Sequence, residues 1–269
     1  MRHSVLTLLL AGFALLPSIA RAERAWAVDS RAFLIAFDTN RPGWITDLLF
    51  ITGLQPGEHI LAIDFRPATG QLYALGSSSR LYTVSLWDGH VTPVGDGQAF
   101  TPKLAGTEFG FDFNPTVDRI RIVSNSGQNL RAHPDTGRIV AVDAPLRYED
   151  GTVPQVIASG YTNSFAGATS TALFNIDLAK RAIVLQSPPN EGVLGSVKPL
   201  INMDFTAIAG YDISPITNRS YLVMRESQSQ RCILYELYPE TGDHNPIGPI
   251  EFFEQASGLA IEPANVRFD

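Results

Sequence analysis

Four carboxylates recur along this chain in nearly the same setting. Asp64, Asp112, Asp212 and Glu262 stand in LAIDFRP, FGFDFNP, AGYDISP and LAIEP, at spacings of 48, 100 and 50 residues. A further copy is expected near position 162, where Thr162 sits in the degenerate segment SGYTNS. Carboxylates carried to one point by repeated units can hold a hard cation such as Ca²⁺ through oxygen ligands. The same pattern arises when every unit needs one carboxylate to accept the backbone N–H groups of its turn. Repetition favours this scaffolding role, because an active site usually breaks the symmetry of a repeat.

Residues 119–131, RIRIVSNSGQNLR, do break it. Arg119, Arg121, Asn125, Gln128, Asn129 and Arg131 replace the more apolar residues of the other copies. Arg offers bidentate contacts to an anion and the Asn and Gln amides can read sugar hydroxyls, so the cluster is a candidate ligand site. Arg121 also occupies a position that is aromatic elsewhere: Trp26, Tyr73, Phe174 and Tyr221. A guanidinium buried there must be paired, with Asp112, Asp118 or Glu108 as expected partners. A polar lock between repeat units is the favoured reading of the two.

Other chemistry is thin. His59, His90, His133 and His244 fall at separate turns and strand ends and are not expected to converge on a metal or near an axis. No zinc-protease, nucleophile-elbow, phosphate-loop or EF-hand motif is present. Cys232, the single cysteine, alternates with Leu234 in a strand pattern and reads as a buried, inert thiol.

The elements that must position these residues are short strands. LYAL, RLYTVSL, RIRIVS, AIVLQS, SYLVM and CILYEL are β-branched and aromatic with period-two alternation. After each of three acids comes a turn, PATG (67–70), PTVD (115–118) or PITN (215–218), ending in Gly70, Asp118 or Asn218. These three residue types tolerate a left-handed backbone, so one turn geometry is predicted three times. Asp88-Gly89, Thr136-Gly137 and Thr241-Gly242 supply later hairpin turns. The C-terminus offers a first strand, 257–261, with no second; residues 25–29 offer a second strand with no first. Joined, they complete one unit. The fold class predicted is all-β, a β-propeller of about five four-stranded blades whose ring is closed by the C-terminal strand.

Residues 1–22 read as an export signal: Arg2 and His3, an apolar run from Val5 to Leu16, then Ala20-Arg21-Ala22. The run is too short for a membrane anchor, and no later transmembrane stretch is found. Residues 23–269 then form a single domain, periplasmic or extracellular. One cysteine forbids an intrachain disulfide, so stability rests on a core, which 45% hydrophobic residues can supply. A net charge of −7 without basic runs argues against nucleic acid and anionic lipid as partners.

The blocks IDFRPATGQLYALGSSSRLYTV (63–84), GTEFGFDFNPTVDRIRIVSNSGQNLR (106–131), GYTNSFAGATSTALFNID (160–177) and QSPPNEGVLGSV (186–197) resemble a bacterial family catalogued as domain of unknown function 4394. The similarity runs over nearly the whole chain after the leader. Trp87-Asp88-Gly89 departs from the family's usual Thr-Gly turn, at a surface hairpin. The resemblance carries no activity, so no catalytic residue transfers with it.

The functional expectation is an exported, monomeric binding or scaffold module of the cell envelope that recognises a protein, peptide or glycan on one face of the ring. The alternative is a propeller hydrolase or lyase, lactonase-like, using a channel-bound divalent cation as Lewis acid.

Overall fold

Runs such as Leu72–Gly76 and Cys232–Leu237 form strands because β-branched and aromatic side chains fit a pleated surface that is covered on both faces. The computed structural model describes residues 22–203, 205–251 and 256–268; the export signal expected at 1–22 lies, up to residue 21, outside them. The described chain forms five small sheets and one 3₁₀ turn, Pro189–Glu191. None of its helices is long and apolar enough to cross a membrane.

The sheets follow one another as blades. Blade two comprises Ile60–Phe65, Leu72–Gly76, Arg80–Val84 and Val91–Pro93. Blade three comprises Phe109–Asn114, Arg119–Ser124, Asn129–Ala132 and Ile139–Val142. Blade four comprises Val156–Tyr161, Leu173–Asp177, Ala182–Gln186 and Val193–Pro199, with a two-residue strand, Arg147–Tyr148, added in parallel on its outer edge. Blade five comprises Phe205–Ile213, Ser220–Glu226, Cys232–Leu237 and His244–Pro249. Blade one takes Arg24–Asp29, Phe33–Asp38 and Arg41–Phe50 from the start of the chain and its inner strand, Ala256–Ile261, from the end. Ala25 lies opposite Ile261 and Trp26 opposite Ala260. This is a five-bladed β-propeller closed by strand exchange between the termini, and the added fifth strand of blade four is the departure from strict four-stranded repetition.

The first strand of each blade lines the axis, and each of these inner strands packs on the next around the circle. The core lies between the blades. Each of the five buried apolar clusters bridges one pair of neighbours; Ile63 and Leu72, for example, pack with Trp26 and Leu34 between blades one and two. Few blades make a tight ring, and the axis shows it. A Cβ on Gly110 would come within 1.9 Å of Ser159 Oγ, and one on Gly210 within 2.5 Å of the Leu259 amide nitrogen. Small residues at this level are required by the approach of neighbouring inner strands. The predicted turn recurs as expected: Gly70, Asp118 and Asn218 have φ of 72°, 50° and 60°.

Candidate functional site

Strand pairing fixes which residues are equivalent around the axis. Asp64 lies opposite Tyr73, Asp112 opposite Arg121 and Asp212 opposite Tyr221. In blade four the residue opposite Phe174 is Gly160, and in blade one the residue opposite Trp26 is Ala260. The recurring position is therefore Asp64, Asp112, Gly160, Asp212 and Ala260. Thr162 and Glu262 stand two residues further on. The LAI shared by the first and last copies misled the register; the prolines at 67, 115, 215 and 263, each three residues past the position, mark it correctly.

The ring thus carries three acids, not four, and the structure brings those three together. One carboxylate oxygen from each of Asp64, Asp112 and Asp212 lies within 4.8 Å of the others, and all three residues are buried. Each also reaches across a blade boundary. Asp64 Oδ2 accepts the Phe113 N–H at 2.7 Å, Asp112 Oδ1 the Tyr161 N–H at 3.0 Å, and Asp212 Oδ2 the Ile261 N–H at 2.5 Å. In every case the donor is the residue just after the next blade's own axial position. The scaffolding expected of these acids is therefore between blades, on inner-strand backbone, and not within a turn.

Burial raises the Asp64 carboxyl well above the usual range, with repulsion from Asp212 adding to it. Asp112 is raised in the same way by burial and by both neighbours. Asp212 is pushed up to about 7 by burial, against the pull of two backbone N–H donors. Three ionised carboxylates at this spacing in a poorly polarisable interior repel strongly. The cluster needs shared protons or a cation. Ca²⁺ sits about 2.3–2.6 Å from its oxygen ligands, so oxygens up to about 5 Å apart can share one ion; the spacing fits.

Glu262 is elsewhere. Its Oε2 accepts the Trp26 indole N–H at 2.8 Å and lies 3.6 Å from Arg24 Nε. Because it precedes Pro263 directly, it corresponds to Arg66, which precedes Pro67 and ties Asp118, Asp135 and the Tyr73 hydroxyl together. It belongs to the outer locks of the ring and not to the axial acids.

The six polar residues of blade three do not converge on a common space. Arg121, 2% exposed, donates to Asn129 Oδ1 and Asp143 Oδ2 within its blade at 2.7 and 2.6 Å, and to Asn190 Oδ1 of blade four at 2.7 Å. Its partners are therefore Asp143, two amides and, at 3.4 Å from Nε, the Tyr161 hydroxyl, in place of the expected Asp112, Asp118 or Glu108. Arg131 chelates the same Asp143 at 2.8 and 2.9 Å. Asn129 donates to the Ala144 and Pro189 carbonyls, Gln128 bonds Ala105 and Lys103, Asn125 bonds Thr107, and Arg119 bonds the Asp118 carbonyl. Protein groups bond all six residues; the bonds from Arg121 and Asn129 to Asn190 and Pro189 make a lock between blades three and four, while those of Arg119, Asn125 and Gln128 stay within blade three and the segment leading into it.

The open space lies on the axis. A funnel of about 290 Å³ enters at the N-terminal ends of the inner strands. Its floor is one residue per blade: Ile63, Phe111, Ser159, Tyr211 and Leu259, each immediately preceding the axial position. The three acids therefore lie one residue beyond the floor. The lining side chains are mostly apolar, although polar atoms take up nearly half of the exposed lining, and the rim carries Asp29, His59, Thr107 and Glu108. His59, expected to be remote from the axis, lines its mouth because it directly precedes the inner strand Ile60–Phe65. Glu108 is solvent-exposed, yet enough protein surrounds it that desolvation raises its carboxyl. Neither residue stood out in sequence, since nothing local says which strand ends face a central space.

A family model described as Domain of unknown function (DUF4394) matches residues 33–260, from the second strand of blade one to the closing strand. The chain belongs to this family. The match spans the three axial acids, the funnel floor and the blade-three lock, so all lie within the DUF4394 domain. No curated protein matches the sequence. A chain in the crystal structure of a nidogen/laminin complex is similar in fold, with a TM-score of 0.51 at 10% identity, covering 92% of this chain and 100% of that one. At that identity the likeness speaks for propeller architecture alone.

Proposed function

We propose that this DUF4394 protein is exported to the cell envelope and works there as a binding module, taking its ligand at the ring face where the axial funnel opens. The observation that carries the reading is the funnel itself: a concave site lined mostly by apolar side chains, with a few polar groups at its rim, to which all five blades contribute. The leader at 1–22 supports export, and ligand recognition by a protein, peptide or glycan partner would use the loops around the same mouth. Catalysis is a weaker reading of the rim, since no nucleophile there is paired with a base. The test isolates the protein from the periplasmic fraction and compares it with Ser30→Trp, which plugs the rim from an exposed position. Native mass spectrometry should show a co-purifying ligand on the parent and not on the variant. Equal recovery from both, or retention of the protein in the cytoplasm, overturns the proposal.

A second reading, a hydrolase or lyase assisted by a channel cation, is favoured by one observation: Asp64, Asp112 and Asp212 are spaced to share an ion. Their position beyond the funnel floor and their bonds to backbone amides suit a structural ion better than a Lewis acid that must touch substrate. Metal content of the purified protein, with hydrolysis assays on lactones before and after EDTA, separates the two roles.

A further inference from the structure

The charges around the funnel share one sign. Among the described residues, no Lys or Arg lines it, while Glu108 and Asp29 do. Asp29 is already spent: its carboxylate pairs with Arg31 and accepts the Phe33 N–H. Glu108 is different. Its backbone carbonyl bonds Asn125, but its carboxylate has no hydrogen-bond or ion-pair partner among the described residues. One residue beyond the floor, Asp64, Asp112 and Asp212 add further negative charge whenever any of them is ionised. His59 is the remaining titratable group at the mouth. Apolar walls focus such a field into the cavity instead of screening it.

The walls contribute in the same direction. Phe109, Phe111 and Tyr211 all line the funnel, and aromatic rings attract cations through their quadrupole. Apolar surface, aromatic rings and an unpaired rim carboxylate are together the features that recognise an organic cation. An anionic amphiphile of the same shape would meet repulsion from Glu108.

Building on the funnel reading above, we propose that the axial site selects a small organic cation: an apolar body seated on the ring floor with a single amine or quaternary ammonium head at Glu108. The cavity, at the lower end of the ~300–1,000 Å³ typical of small-molecule sites, suits a body of short-alkyl or single-ring size.

The experiment measures binding of three probes of equal length, hexylammonium, hexanol and hexanoate, by calorimetry at pH 7 and low salt. The parent protein and the Glu108→Gln and Ser30→Trp variants are compared. Hexylammonium should bind at least tenfold more tightly than hexanol, hexanoate should not bind detectably, and Glu108→Gln should bring the amine and the alcohol within about twofold of each other. Ser30→Trp should abolish binding of both. If all three probes bind equally to the parent, the funnel reading survives and the charge selection fails. If Glu108→Gln keeps the full preference for the amine, the assignment of Glu108 as the counter-charge is overturned. If no probe binds at millimolar concentration, the selection of an organic cation fails, while the funnel reading is decided separately by native mass spectrometry of the parent and Ser30→Trp.

Discussion

The Asp64 carboxylate accepts the backbone N–H of Phe113 at 2.7 Å, so one axial charge is also a clamp between blades two and three. The same bond recurs from Asp112 to Tyr161 and from Asp212 to Ile261. It is missing where the axial position is Gly160 or Ala260, which have no carboxylate to offer. The acids thus carry two tasks that oppose each other. Each bond to an amide favours the ionised form, while mutual proximity in a buried site disfavours it.

That opposition predicts a pH dependence. A carboxyl at about 7 in the folded protein and near 3.8 when unfolded binds more protons folded than unfolded between those values. Stability therefore falls as pH rises through this window, by up to about 1.4 kcal/mol per pH unit for one proton. Asp64 and Asp112, raised in the same direction, add to the loss. Urea denaturation midpoints from pH 4 to 8.5 should decline in metal-free buffer, and Asp212→Asn should flatten the slope. A midpoint that rises over the same range would contradict the assigned shifts.

A cation would reverse the decline. Ca²⁺ added at pH 8 should raise the melting temperature in a concentration-dependent way, since an ion bound only by the folded ring stabilises it by mass action. Asp112→Asn keeps a side-chain oxygen for the Tyr161 amide but removes one of the three charges. It should be more stable than the parent without metal and less responsive to Ca²⁺. Differential scanning fluorimetry with EDTA and Ca²⁺ series checks both, and an unresponsive parent argues that shared protons alone hold the acids together.

Arg121→Ala removes the shared partner of Asp143, Asn129 and Asn190. Breaking a buried charged network in this way costs about 3–5 kcal/mol. Asn190→Ala, which trims only the contact from blade four, should cost about 1–2 kcal/mol. Chemical denaturation of both variants gives the numbers. An Arg121→Ala protein as stable as the parent would show that the lock contributes little and would free the cluster for another role.

The sequence made the ring legible and left the locks obscure, for identifiable reasons. Turns such as Pro67–Gly70 and hairpins such as Asp88-Gly89 are local, so residue type alone revealed their geometry. The split blade was visible because residues 25–29 and 257–261 each lacked a partner strand. Glu262 was misassigned by matching LAI in place of the following proline, a slip of two residues that keeps the side chain on the same face of the strand while changing its layer. The partners of Arg121 were not legible at all. Asp143 and Asn190 come from connections 22 and 69 residues away that carry no repeat signal. Likewise, nothing in the spacing of His59 or Glu108 indicated that both strand starts open on a shared cavity.

Gly70 and Asn218 share a left-handed turn but differ in surroundings, so their substitutions should diverge. A Cβ at Gly70 would come within 2.0 Å of the Asn265 carbonyl, in addition to the strain of a β-branched residue at φ of 72°. Gly70→Val should therefore cost at least the about 1–3 kcal/mol of backbone strain alone. Asn218→Gly relieves strain but deletes the acceptor of the Asn163 N–H at 2.8 Å, a bond between blades four and five. Its net cost should be about 1 kcal/mol instead of the small gain that the turn alone would imply. Thermal denaturation of the two variants tests the contrast, and equal effects would mean that the turn and not its contacts governs this position.

Ring closure is the most consequential feature to test. Residues 256–268 supply the inner strand of blade one, the Ile261 N–H that Asp212 holds, and the Glu262 carboxylate that receives the Trp26 indole. Deleting 256–269 should leave the strand Arg24–Asp29 as an unpaired edge beside uncovered apolar residues of blades two and five, a surface prone to pairing with other chains. The truncated protein should be recovered mainly as aggregate. Poor recovery alone would not identify closure as the cause, so a permuted chain supplies the control. Moving residues 256–268 ahead of residue 23 through a short flexible linker restores the same antiparallel pairing with the strand covalently attached to the partner it already uses. The permuted protein should be soluble and monomeric, with a melting temperature within a few degrees of the parent. A soluble truncated chain with an unchanged melting temperature, or a permuted chain that fails as badly as the truncated one, would show that the exchange of strands between the termini is not what holds the ring shut.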